Sequence, residues 1–485
     1  MPIGPFEKLR REVIDAGLCT RCGSCVGVCT AEVIEFADPL GRCLPILKDN
    51  EPCAKCAAMC VNGCSGQDVH FPTLAQFTHG SPSTDTRLGA VKSLYVGYAG
   101  DEEIRKAGAS GGVLSAAAIY MLESGLVDGA IGLSPNASEP WKFEPRIARH
   151  RDEVLGCAQS KYSISPVNTI LRQLEQEPKG FRAAMAAIPC QVHSIRKLQA
   201  DGFPAACKIT HILGSYCGNI LHFDAVRGFL AKHRVKDYRQ IARLEYRAGE
   251  WPGKMRVTLV DGRLLEMPKF YANYLIPFYM MRRCLLCTDL ANEFADISGG
   301  DAWAPIYEER GKGFSLIMGR TERGRQVLDE MIREGRLTVE PIELEAAVGM
   351  HSHMLDFKKR GAFLRMDSLR LRHKPVPSYG YHPLTPAPFG RLAFEMLLRT
   401  IYAVCSWSLS QWAVARLPTG ITGRIFEQAR RRWKGLTAST KRKGFGTIQF
   451  EVEPPRLLQH ERISPIEDHS RGVEKNEISE RHVKA

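Results

Sequence analysis

The stretch CTRCGSCVGVCT places Cys19, Cys22, Cys25 and Cys29 within eleven residues, and CAKCAAMCVNGC adds Cys53, Cys56, Cys60 and Cys64. Of the sixteen cysteines in 485 residues, nine precede residue 65. Such crowding restricts what the chain can fold around. The opening MPIGPFEKLRREV has no apolar stretch of the kind a secretory signal needs. No run reaches the roughly 18 uncharged apolar residues that span a bilayer. The chain therefore reads as cytoplasmic, where thiols stay reduced. Ligation, not disulfide pairing, is the default for such a set.

The spacing C-x2-C-x2-C-x3-C is the ferredoxin run, in which three cysteines hold one [4Fe–4S] cluster and the fourth reaches a second. The second run has the reciprocal form with one extra residue. It assigns Cys19, Cys22, Cys25 and Cys64 to one cluster, and Cys29, Cys53, Cys56 and Cys60 to another. Glycine in CGSC suits a tight cluster loop. Zinc is the competing reading, but its paired motifs carry a longer spacer than these runs allow. The proline common after the fourth cysteine is Thr30 here, and Ser65 in the second run. Proline is not a ligand, so the assignment stands. Cys43 reads as a thiol outside both sets.

In the middle of the chain, GASGGVLSAAAIYMLESGLVDGAIG predicts a helix after Ser110, closed by Gly125 and followed by a strand. Its Ser-Gly-Gly turn offers backbone N–H groups at a helix start, a seat for phosphate or a ring edge, or simply a cap with glycine packing. AAMAAIPCQVHSIRKL and CKITHILGSYCGNI each read as a strand leading to a turn that carries Cys190 or Cys217. Open α/β sheets bind ligands at such strand ends. RRCLLC adds Cys284 and Cys287. Four more thiols suffice for a third cluster, although each alone is an ordinary buried cysteine. Neither a G-x-G-x-x-G turn nor a P-loop is present.

Taken in order, GASGGV, GCAQSKYSISP, AAIPCQVHSIRKL, GSYCGN, CLLCTDLANEFADISGGDAW and GFSLIMGRT resemble the coenzyme F420 hydrogenase/dehydrogenase beta-subunit family over residues 15–340. The resemblance implies a bound FAD and a catalytic-domain [4Fe–4S] cluster, three clusters in all. It places Ser110, Gly111, Gly112, Lys161 and Tyr162 at the flavin, with Lys161 as the catalytic residue stabilising its reduced form. Cys190, Cys217, Cys284 and Cys287 would hold the third cluster. Asp296 and Asp301 would shape the same pocket. Cys157, Cys207 and Cys405 read as packing thiols. The expected fold is α+β to α/β. Residues 1–80 form a two-cluster ferredoxin-like domain, and 81–375 a mixed α/β flavin-binding catalytic domain. A proline-rich linker and basic helical extension over 376–451 and a disordered tail over 452–485 complete it.

The formal charge of +13 is concentrated late, with eleven Lys/Arg against two Glu in residues 391–443. Residues 391–417 predict one helix whose polar positions Glu395, Arg399, Ser406 and Ser410 form a narrow stripe. Its wide apolar arc carries Trp407 and Trp412. Two readings stay open: docking on the protein or a partner, or peripheral contact with the inner face of the membrane. Nucleic acid is not expected, because the aromatic residues lie in the apolar arc and form no stacking platform.

The expected function is an iron–sulfur flavoprotein oxidoreductase. It would exchange electrons between a ferredoxin, hydrogenase or dehydrogenase partner and an organic acceptor such as F420. Two alternatives are a non-catalytic relay component of a membrane-associated complex and a reductase of tetrapyrrole-type substrates.

Overall fold

Short apolar runs separated by glycine-rich turns build one eight-stranded sheet. Its strands are β1 (Ser93–Ala99), β2 (Gly129–Pro135), β3 (Phe143–Ala148), β4 (Ala183–Ala187), β5 (Ile209–Ser215), β6 (Ile297–Asp301), β7 (Ser315–Gly319) and β8 (Leu337–Pro341). They lie in the order β8-β1-β7-β6-β5-β4-β2-β3. The central strands β6, β5, β4 and β2 are parallel, and the outer pairs are antiparallel. The chain is thus a mixed α/β protein, seen in a computed structural model that describes residues 4–38, 40–82, 85–442, 445–446 and 448–456.

The AAMAA of β4 shows why the middle of the sheet is apolar on both faces. Ala183, Met185 and Ala187 face one core, and Ala184 faces another across the sheet. A parallel strand covered on both sides has no solvent face to make polar. The second core is filled by the helix Val113–Glu123, buried from Ala116 to Met121. The first core takes Val192, Ile195 and Leu198 of the helix Pro189–Ala200 together with Phe6, Leu9, Val13, Leu18, Val26 and Val28. The cysteine-rich N-terminal loops therefore share an apolar core with the sheet.

Three late features differ from the sequence expectation. The proline-rich stretch 373–390 is built into the protein where a linker was expected. Tyr381–Pro383 pairs antiparallel with Phe450–Val452, and the amides of Val69 and Phe71 donate to the carbonyls of Ser378 and Tyr379. Its tyrosines explain this, since Tyr379 and Tyr381 bury rings beside Phe71 and Phe363. The tail, expected to lack structure from residue 452, is held through Arg456 by Glu453 against His70 at 3.1 Å and Arg456 against Asp68 at 2.6 Å. Residues 457–485 lie outside the described residues.

The single helix expected over 391–417 is two, Phe389–Cys405 and Ser408–Val414, bent by 74°. Trp407 is extended at the break, and the Ser406 hydroxyl donates back to the Ala403 carbonyl, a bond that competes with the helix ladder. Among the described residues no single helix is long and apolar enough to cross a membrane.

Candidate functional site: three cysteine groups and a polar pocket

Strands β4, β5 and β6 run parallel, and two antiparallel steps return β1 to the same direction. Their carboxyl ends therefore open along one edge, where ligands bind in open α/β sheets. Cys190 follows β4 in the first turn of the helix Pro189–Ala200, and Cys217 follows β5 by two residues. Asp301 ends β6, and the loop carrying Ser110, Gly111 and Gly112 follows β1 into the helix Val113–Glu123. Cys284 and Cys287 arrive on and just after the 3-10 turn Arg282–Leu286.

Burial, and then the sulfurs of Cys217, Cys287, Cys22 and Cys284, push the Cys190 thiol well above its usual range. Burial and the neighbouring Cys19, Cys22, Cys64 and Cys60 do the same to Cys25. Cys60 is lifted to about 12 by burial and by Cys56, Cys53 and Cys29. The structure thus brings together Cys19, Cys22, Cys25 and Cys64, then Cys29, Cys53, Cys56 and Cys60, then Cys190, Cys217, Cys284 and Cys287. Cys22 of the first group lies near Cys190 of the third. A cavity between Leu9, Val13 and Phe36 is lined by all four thiols of the first group, and by Cys43 and Cys60.

Buried thiols that raise one another's pKa cannot all ionise unaided; a cationic core among them reverses that balance. Among the described residues no three His, Cys, Asp or Glu side chains converge on a point that could hold a single ion. Sets of four thiols are the donor chemistry of an iron–sulfur cluster.

Several side chains that the motifs do not reveal brace these loops. The Lys197 ammonium donates to the Cys64 and Asp68 carbonyls, both at 2.8 Å. Arg283 donates to the carbonyls of Leu18 at 3.0 Å and Gly66 at 3.1 Å and to the Tyr379 hydroxyl at 3.0 Å. It therefore ties the loop of Cys284 to both ends of the first cysteine group. Asn168 donates to Ser24 and to the Gln191 carbonyl. His193 meets Asp289 at 2.9 Å in the interior. Lys358, 1% exposed, directs its ammonium at Cys287, Cys217 and Cys284 and hydrogen-bonds Cys287. It lies in a five-residue π-helical turn, Phe357–Gly361, which nothing in the sequence pattern announces.

The polar pocket is organised by Arg247, also absent from the sequence reading. Its guanidinium donates to the Ala109 carbonyl at 2.6 Å, the Tyr162 hydroxyl at 3.1 Å, Asp301 at 3.0 Å and the Pro252 carbonyl at 2.6 Å. Trp251 donates to Asp301 at 2.8 Å. Burial raises the Tyr162 hydroxyl, but Lys269, 4.9 Å from its ring centre, and Arg247 outweigh it and leave the pKa below the usual value. An open cavity of about 630 Å³ is lined by Glu102, Lys106, Gln159, Arg243 and Glu245, none of them a member of this cluster.

The remaining predicted residues divide. The Ser110 hydroxyl donates to the Phe314 carbonyl at 2.8 Å, and the Gly111 N–H donates to Ser315 at 3.0 Å. A Cβ on Gly111 would stand 2.6 Å from the Gly97 carbonyl oxygen, and Gly112 has φ +76°. These glycines are therefore required by packing, while the first turn of the helix Val113–Glu123 has no side-chain cap.

Lys161 and Asp296 are both held by partners within the chain. All three Lys161 ammonium donors go to the carbonyls of Cys157, Ala158 and Gln159, so the residue clamps a loop. Asp296 precedes β6 while Asp301 ends it, a separation of about 16 Å along an extended strand. Its carboxylate accepts from Arg196, Arg323, Thr321 and the Ile212 amide, which places it in the core at the far edge of the sheet. Cys157 packs against Gly132, Cys405 is half-buried, and Cys207 is exposed, contrary to its reading as a packing thiol.

Comparison with known proteins now adds to this geometry. Residues 94–172 match the N-terminal part of the family described as coenzyme F420 hydrogenase/dehydrogenase, beta subunit, and residues 181–345 match its C-terminal part. Together the matches cover half of the chain. It belongs to the coenzyme F420 hydrogenase/dehydrogenase beta-subunit family.

Among its relatives, the coenzyme F420 hydrogenase subunit beta of Methanothermobacter thermautotrophicus is 26% identical over 60% of this chain and 99% of its own length. The protein of the same description from Methanococcus voltae is 27% identical over 53% of this chain and 86% of its own length. The coenzyme F420-dependent sulfite reductase of Methanocaldococcus jannaschii is 25% identical over 70% of this chain, which spans only 50% of that protein. A chain of the F420-reducing [NiFe] hydrogenase complex of Methanosarcina barkeri superposes with a TM-score of 0.48 at 22% identity, covering 60% of this chain and 97% of that one. The family residues end at Glu345, so Lys358, the sheet-forming tyrosines and the helical extension all lie beyond them.

Proposed function

We propose that this family member is an iron–sulfur flavoprotein oxidoreductase. It would pass electrons between a protein partner and an organic two-electron acceptor, of which F420 is the best candidate. The observation that carries the reading is the series of three four-cysteine groups, with Cys22 of the first near Cys190 of the third and the third lying at the strand edge beside the Arg247 cluster. The names of the F420-linked relatives support the acceptor class.

Iron–sulfur clusters supply one-electron storage, and a flavin exchanges that with two-electron chemistry. Cys19, Cys22, Cys25 and Cys64 would hold one cluster, Cys29, Cys53, Cys56 and Cys60 a second, and Cys190, Cys217, Cys284 and Cys287 a third. Lys197 and Arg283 fix the backbones on which the first and third groups stand, keeping their separation constant. The apolar walls around Leu9 and Val13 exclude water from the first group. At the carboxyl edge, Arg247 holds Ala109, Tyr162 and Asp301 in one constellation. Residues 110–112 and 161–162 border the place proposed for FAD, with the uncapped helix start of Val113–Glu123 as the anion seat. In this arrangement Lys161 shapes the border by clamping residues 157–159.

Purification without oxygen, followed by iron, acid-labile sulfide and flavin analysis, tests the cofactors. About twelve irons per chain are expected for three clusters, with one flavin. Reduction of a dye by F420H2 with the isolated chain tests the acceptor class. Inactivity of the fully loaded chain would instead favour a relay role within a larger complex.

A further inference from the structure

The helix Phe389–Cys405 is docked inside out. Its polar stripe faces the protein: Glu395 accepts from Arg391 at 2.7 Å and Arg365 at 2.6 Å, Arg391 meets Asp356 at 2.9 Å, and Arg399 donates to Ser368. Arg391 and Glu395 are buried. The opposite face carries apolar side chains into solvent: Met396 is 71% exposed, and Ile401 and Val404 are exposed beside it. The pattern continues past the bend, where Trp407, Trp412 and Ile421 are each more than half exposed. Lys232 anchors this second part through the carbonyls of Val414 and Leu417, so the exposure is fixed by docking. A soluble protein rarely leaves a continuous apolar surface of this extent uncovered.

We infer that this surface seats the protein on an anionic lipid bilayer, lying flat with the apolar face among the acyl chains. Charge selects lipid over a second protein. Residues 389–432 contain two carboxylates, Glu395 and Glu427, and both are buried in ion pairs with arginines. The exposed charges are therefore all positive, among them Arg416, Arg424 and Arg432. The Arg416 guanidinium lies 3.8 Å from the Trp412 ring centre, which sets a cation beside an interfacial tryptophan. The bent pair of helices has the apolarity of a membrane segment. The 74° bend and the docked polar stripe keep it from crossing, as in helices that rest in the headgroup layer.

Flotation of the full-length, cofactor-loaded chain with phosphatidylcholine vesicles, with and without phosphatidylglycerol, tests this. Binding is expected on the anionic vesicles and is expected to weaken as salt rises. The variant carrying Met396→Glu and Trp412→Glu, both on exposed positions, should bind about tenfold more weakly or worse. Arg416→Gln and Arg424→Gln should each cost about fivefold on anionic vesicles only. Unchanged cluster and flavin absorbance controls for folding. Absence of binding at low salt, or equal binding by the Glu variant, would overturn the inference. So would self-association in sedimentation that the Glu variant abolishes while vesicles go unbound, which would assign the face to a second copy.

Discussion

The turn Phe357–Gly361 begins just after Asp356, which pairs with Arg391 of the helix Phe389–Cys405, yet turn and helix invert the usual polarity of inside and outside in opposite ways. The turn buries Lys358, Lys359 and Arg360 consecutively. The helix turns its apolar residues to solvent and its charges inward. Each buried cation meets a group within the chain: Glu293 for Lys359, Asp356 for Arg360, and the cysteine sulfurs for Lys358. The exposed apolar face has no such complement among the described residues. The difference teaches where each anomaly is resolved: the first by the fold and what it binds, the second by something the protein rests on.

Removing one member of the buried network should produce the largest effect. Glu395→Ala leaves Arg391 and Arg365 without their carboxylate, and a loss of about 3–5 kcal/mol is expected in denaturant melts. A loss near that of a surface ion pair would mean that the stripe is not truly docked.

Lys358 sharpens the contrast next. A buried ammonium beside the third cysteine group favours an added electron there. Lys358→Met should therefore lower the midpoint potential of the cluster proposed there by on the order of 100 mV, equivalent to about 2 kcal/mol. Lys358→Arg should restore most of it. Redox titration followed by electron paramagnetic resonance reads the shift, and an unmoved potential would assign Lys358 a packing role alone.

A buried neutral base provides a milder probe. Burial lowers His351 from 6.5 to about 4, and a ring nitrogen meets the Asp301 carbonyl oxygen at 3.0 Å. Between those two values the unfolded chain binds the extra proton. This residue therefore makes stability rise with pH over that window and fall by about 1.4 kcal/mol per unit on acidification. His351→Gln should flatten the slope of melting temperature between pH 5 and 6.5; an identical slope would place the titrating group elsewhere. The smallest effect belongs to the exposed helix face. Met396→Ser should change stability by less than about 0.5 kcal/mol, and a larger loss would show that the face is packed in solution.

What could be read from the sequence followed the range of the interactions. Spacing in the two N-terminal cysteine runs is local, so their grouping was legible. The helix after Ser110 and the strands before Cys190 and Cys217 were legible from apolar runs closed by glycine and proline. The pocket was not. Arg247 gathers Ala109, Tyr162, Pro252 and Asp301 from four separate segments, and no periodicity records such a meeting. ADISGGD misled in a specific way: residues five apart look like neighbours in a motif, but an extended strand carries Asp296 and Asp301 to opposite edges of the sheet. The partners of Lys161 were not legible either, because a lysine near a loop says nothing of which carbonyls its ammonium meets.

The sequence by itself determined the family, the alternation of strands and helices, and the reach of each cysteine loop, since all of these rest on chain-local chemistry and matched motifs. Only the tertiary structure decided which way the amphipathic helix faces. A periodic stripe defines two faces equally well, and the choice between them fell to Asp356 and Arg365, whose charges could be buried only if the polar face turned inward.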